Sequence, residues 1–455
     1  MSRRVLTTTL ALASVGLGLL AARPRPAPSP PVADVRPHEV VSPHGVRKDP
    51  YYWLRDDTRS RPDVLAYLTA ENAYYEAMTA GQRPLVRRIA GEMAARLPAV
   101  DSTVPYRDRS HLYFERHEAQ REYPVVARRS RSGDLEEVLV DGNREAEGQS
   151  YSDVDAWAVS SSEDVLAFLH DTGGRYQYTL RFRDIATGRD YPERIPGLRP
   201  DVAWAGDNRT AYYVENDPVT LLSRRVKKHA LGTDPATDPV VYEEKDTSFY
   251  VNLEKSRDQR FVLIHLESTE ADEWWAIDAE RPASAPRCLA PRERGVHYGV
   301  QHAASRWVIR TDRDAPNYRV MTAGDEEIGD RARWRDFLPH DPGVFVDEIV
   351  AFRGHLAVAE RREGVLGLRV VAWDDPKRSF RVPTGAPTST LKLSTNAESD
   401  TSVLRYVESS LVTPATEYEV DMETRERRLL KRQSVPRFAP EDYATERVWA
   451  PARDG

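Results

Sequence analysis

The chain repeats itself at a nearly constant interval. Stretches that read as a β-strand running into a charged turn begin at Tyr178, Arg224, Asp272, Asn317, Leu366 and Thr416, spaced by 46, 48, 45, 49 and 50 residues. Each follows an apolar strand, a polar turn and a second β-branched or aromatic strand, as in "VAWAGDNRTAYYVEND" from Val202 and "VNLEKSRDQRFVLIHLES" from Val251. An earlier copy, "EYPVVARRSRSG" from Glu122, brings the number to seven. A multi-stranded unit recurring every ~40–50 residues is the mark of a β-propeller. One such sheet cannot bury both its faces, so neighbours must stack and the ring must close. A sandwich of unrelated hairpins gives no such period. The expected fold is mainly β, a seven-bladed β-propeller over residues 99–436.

The residues before the repeats have a different texture. Two arginines, Arg3 and Arg4, precede an apolar stretch from Val5 to Ala22, and the Pro-rich "RPRPAPSPP" follows. This is the layout of an export signal with an extended spacer, assigned to residues 1–36. Leu20 stands where a small residue would favour cleavage after Ala22, so an uncleaved membrane anchor is the alternative. Residues 37–98 read as a short α-helical segment. Ser60-x-x-Asp63 resembles a capping box, Pro62 suits a first turn, and Gly81 can close the helix. Leu65, Leu68, Tyr75 and Met78 share one face, and Leu85, Ile89, Met93 and Leu97 repeat the pattern up to Pro98.

Composition excludes some functions. The formal charge is -7, and about -9 without Arg3 and Arg4. That balance lacks the basic stripe of a nucleic-acid binder, and it suits a cationic ligand. The single cysteine, Cys288, excludes an internal disulfide and a cysteine-based metal site, and reads as a small buried apolar residue rather than a reactive thiol. There is no G-x-S-x-G elbow, H-E-x-x-H helix or phosphate loop. His111, His117, His297 and His302 do not pair on one helix or strand face, so structural or solvated roles are expected. "SFYVNLEKSRD" (248–258) and "TEADEWWAID" (269–278) combine aromatics with acids. They read either as inter-blade packing with a charged rim or as the lining of a cleft for cationic peptides.

The chain ends on "ERVWAPARDG", where Val448 and Ala450 alternate with Arg447 and Trp449 before the turn dipeptide Asp454-Gly455. A strand entering a tight turn calls for a returning strand.

Five stretches resemble a known family. "PHGVRKDPYYWLRDD", "VLAYLTAENAYYEAM", "HALGTDPATDPVVYEEKDTSFYV", "TDRDAPNYRVMTA" and "SSLVTPATEYEVDMETRERRLLKRQSVP" are similar to the prolyl oligopeptidase family, its oligopeptidase B branch above all. The likeness runs from about Pro37 to Gly455, with "TEADEWWAIDA" and "VVAWDDPKRSF" looser and the leader atypical. The resemblance implies a serine peptidase that cleaves short peptides after Lys or Arg. In it, N-terminal helices and a propeller precede an α/β-hydrolase domain that holds the serine, aspartate and histidine. It places that domain beyond Gly455, with residues 437–455 as the linker into it. The expectation is therefore of a chain with no catalytic residue, no assigned substrate-binding residue, no metal and no cofactor, and inactive alone. Its expected partners are short basic peptides and possibly a separate hydrolase chain, with no nucleic acid. The other reading is a stand-alone exported propeller that binds peptides or proteins.

Overall fold

The computed structural model describes residues 28–133 and 135–455. The apolar stretch from Val5 to Ala22, within the leader segment assigned to residues 1–36, lies outside them. No helix among the described residues is long and apolar enough to cross a membrane. The chain divides into two compact units, residues 1–96 and 97–455.

Among the described residues of the first unit, α-helix is confined to Pro62–Thr79 and Arg83–Ala94, joined by a 3-10 turn at Ala80–Gln82. The expected helical segment over 37–98 is corrected at its start. Glu39–Ser42 and Gly45–Lys48 pair as a hairpin, and Tyr52–Leu54 is a single 3-10 turn. The capping box is also corrected. Arg61 occupies the N-cap and makes no side-chain capping bond. Asp56 instead accepts the backbone N–H groups of Ser60 and Arg61, each at 2.7 Å. Asp63 is drawn away by Arg36 at 2.6 Å and Arg61 at 2.8 Å. Two charged partners outbid a helix terminus for that carboxylate.

The second unit is a propeller of antiparallel sheets. The strands alternate where one face is buried, as in Val403–Ser409, and are buried throughout where both faces are covered, as in Val165–Asp171. The hairpins between first and second strands close with matching backbone bonds, Ala205 N–H to Thr210 O and Ser256 N–H to Phe261 O among them. Core clusters lie between successive sheets. Tyr212, Val251 and Ile264 belong to one, Leu263, Trp307 and Ile309 to the next, and Leu368, Leu391 and Tyr406 to another.

The seven-bladed expectation is contradicted. Among the described residues, five blades stand as separate sheets, one of five strands and four of four. The strands from Asp153–Val159 to Val240–Glu243 form one continuous seven-stranded sheet instead of two blades. The cause is the 15-residue strand Asp190–Trp204. It pairs with Tyr178–Asp184 through residues 190–198 and with Thr210–Asn216 through residues 198–204. Backbone hydrogen bonding thus runs straight across a repeat boundary, with a bulge between Leu198 and Val202.

The last and first sheets meet through polar contacts. Lys431 binds the Asp101 carboxylate and the Ser102 carbonyl, and Arg131 pairs with Glu398. Beyond the last sheet, "ERVWA" forms no strand; Val448 and Trp449 are exposed. The alternation was real, but a strand needs a hydrogen-bonded neighbour. The Asp454-Gly455 turn does form, closed by Gly455 N–H to Ala452 O at 3.0 Å.

Candidate functional site

The first strand of each repeat carries the chemistry. Tyr250–Lys255 buries Val251 and Leu253 in the core and turns Asn252 and Glu254 the other way. Glu254 has solvent access, yet neighbouring strands crowd it, and among the described residues it has no ion pair or side-chain hydrogen bond. Burial pushes its carboxyl above the usual range. Nearby His265 and Arg257 pull it down, and Asp201 pushes it up.

Asp201 lies on Asp190–Trp204 and pairs with Arg199 at 2.7 Å. Burial raises this carboxyl too, and the charge of Asp155 adds to the shift. Asp155, on Asp153–Val159, is raised by burial and by Asp153. Glu348, on Phe345–Ala351, is raised by burial and by Asp347. Successive first strands therefore bring Asp155 near enough to raise Asp201, and Asp201 near enough to raise Glu254. Such a rim is held at a cost that a cation can relieve.

The two stretches singled out in the sequence divide between both readings. Phe249 and Trp274 are buried, with Arg292 over Phe249 at 3.9 Å, and Trp275 packs on Tyr242. Asp258, Asp272 and Glu273 are all paired. Phe249, Trp274 and Trp275 are packing while Tyr250 is half exposed, and most of the acids are structural; Glu254 is the exposed acid left without a partner among the described residues.

The histidines are structural but not isolated. His302 is fully buried with Nδ1 2.7 Å from Asp258 and Nε2 2.9 Å from Asp325. His297 meets His265 through opposite oxygens of Asp272, each at 2.9 Å. That link joins residues far apart in sequence, so spacing could not reveal it. His111 pairs with Glu163 at 2.9 Å, while His117 is exposed. Burial pushes the Cys288 thiol up to about 11, away from the reactive range.

A second concavity, about 310 Å³, lies where the first and last sheets meet, lined by Tyr106, Arg107, Asn396, Arg405 and Glu419. Much of its charge is already paired: Glu419 accepts from Arg405 at 2.8 Å and from Arg428 at 2.5 Å. The inner rim is the stronger candidate because its carboxylates are not all spent.

Comparisons agree with this architecture. Residues 30–433 match the family described as prolyl oligopeptidase, N-terminal beta-propeller domain. Dipeptidyl aminopeptidase BI of Pseudoxanthomonas mexicana is 42% identical over 94% of this chain and 61% of its own length. Protease 2 of Moraxella lacunata is 27% identical over 92% and 60%. Oligopeptidase B from Leishmania major superposes with a TM-score of 0.86 at 27% identity, covering 94% of this chain and 64% of its own. The chain thus spans about three fifths of the length of these curated relatives. With a family match over most of its residues and the same propeller architecture, this chain belongs to the prolyl oligopeptidase family and comprises its N-terminal β-propeller portion.

Proposed function

We propose that this chain is the substrate-gating portion of an oligopeptidase B-like serine peptidase acting on short peptides after Lys or Arg, and that residues 1–455 alone do not hydrolyse them. The observation that carries this reading is the row of Asp155, Asp201 and Glu254 on successive first strands, each carboxyl raised by burial and by a neighbouring acid, a strain that a basic side chain relieves. The role is selection: the rim attracts cations electrostatically, and the rigid ring limits size.

The 42% identical relative is named a dipeptidyl aminopeptidase, and this favours a second reading of the same rim. The α-ammonium of a peptide is a cation these carboxylates would equally hold.

Fluorescence anisotropy with labelled tetrapeptides tests both. An N-acetylated peptide with one internal arginine is expected to bind, and its affinity to fall several-fold from low to physiological salt. Glu254→Gln is expected to weaken it on the order of tenfold. Binding that instead requires a free amino terminus, with or without arginine, selects the second reading. Equal binding of acidic and basic peptides would refute both.

A further inference from the structure

Arg257 sits in the hairpin just beyond Tyr250–Lys255. Its guanidinium reaches past the whole sheet of residues 298–338. It donates to the carbonyls of Ala351 at 3.4 Å, Asn396 at 2.5 Å and Glu398 at 3.3 Å. Ala351 ends the first strand of one sheet, and Asn396 and Glu398 lie just after the first strand of the next. One side chain can touch strand ends that far round the ring only where those ends converge.

Neighbouring hairpins use the same device over shorter spans. Lys255 donates to Trp204 O at 2.6 Å, and Arg109 to Ser160 O at 2.5 Å. The two hairpins that Arg257 binds are themselves joined by Arg353 N–H to Ser399 O at 2.8 Å.

We propose that Arg257 is a cross-ring latch, tying the sheet of residues 250–290 to those of residues 345–381 and 390–432 through backbone carbonyls at the converging ends of their first strands. The guanidinium suits the task because its planar donors satisfy several acceptors at once, whereas a lysine is a single point. Burial pulls Arg257 down to about 10, so it keeps its charge at neutral pH and its donors stay committed. The carbonyls gain partners they would otherwise lack at a strand end. The latch stands on these hydrogen bonds and does not depend on the peptide reading.

Amide hydrogen exchange of the full chain, read by mass spectrometry, tests it in Arg257→Ala and Arg257→Lys. The expected result is exchange on the order of tenfold faster at 351–354 and 394–402 in Arg257→Ala, a smaller increase in Arg257→Lys, and no change within 306–323. Faster exchange confined to 250–267, or none anywhere, would overturn the latch. Should Arg257→Ala fail to fold, Arg257→Lys is judged by the same criterion. Absence of peptide binding by the unaltered chain, with the latch pattern intact, would refute the function proposed above and leave the latch standing.

Discussion

The full chain in dilute buffer is expected to enhance the fluorescence of a hydrophobic dye and to self-associate, and Leu68→Lys with Ile89→Lys is expected to suppress both several-fold. Val64 is buried in the helix Pro62–Thr79, and the helix Arg83–Ala94 buries no residue. Leu65, Leu68, Leu85 and Ile89 are 44%, 50%, 49% and 45% exposed, and Tyr75, Met78 and Met93 more so. Scattered exposed leucines are ordinary, but large apolar side chains grouped on two adjoining helices form a patch that water tolerates poorly. Fully covering each such side chain stabilises by about 1.5–3 kcal/mol, so even partial cover of several drives association. On the proposed function, further protein supplies that cover. Dye titration with light scattering checks this; a monodisperse chain that binds no dye would count against it.

Removing the imidazole of His302 is expected to have the largest effect on stability within the propeller. The ring packs edge-on against Trp307 at 4.7 Å and Phe261 at 5.0 Å, and a carboxylate faces each nitrogen. His302→Ala removes a hydrogen-bond partner of Asp258, whose side chain is 18% exposed, and leaves Asp325 with Arg260 at 3.2 Å. Breaking such a buried set costs about 3–5 kcal/mol. Denaturant unfolding measures it, and a cost below about 1 kcal/mol would show that the triad is relaxed by solvent.

The pH dependence has a definite sign. Burial pushes the Asp258 carboxyl up, but the hydrogen bond and charge of His302, with Ser256, outweigh it and hold the carboxyl below its usual value. A depressed carboxyl contributes stability above its unfolded value of about 3.9, and that contribution is lost as pH falls through the lower folded value. The gap between wild type and His302→Ala is therefore expected to narrow below about pH 4.

The repeat was legible because each unit carries the same strand–turn–strand text, and the turns at Asp207–Thr210 and Ser256–Phe261 close as that text implies. Blade number was not. Asp190–Trp204 continues through Pro192, Pro196 and Gly197 because pairing on both sides carries it, and that pairing is tertiary. Ser60 read as a cap until the tertiary partners of Asp63 and the reach of Asp56 decided otherwise.

The rim was half legible. Glu254 lies in a stretch that composition singles out, whereas Asp155 and Asp201 join it only because successive first strands lie side by side. Arg257 lies in the same stretch, but nothing local foretells acceptors 94, 139 and 141 residues away.

The most direct test of the proposed role is turnover by the purified full chain, followed with an arginyl-coumarin amide and a serine-directed fluorophosphonate. A chain that selects peptides without the chemistry to cut them is expected to release no coumarin above the buffer rate and to take up no label. Stoichiometric labelling of one serine, with turnover that the label abolishes, would contradict that role and place a complete active site within these 455 residues.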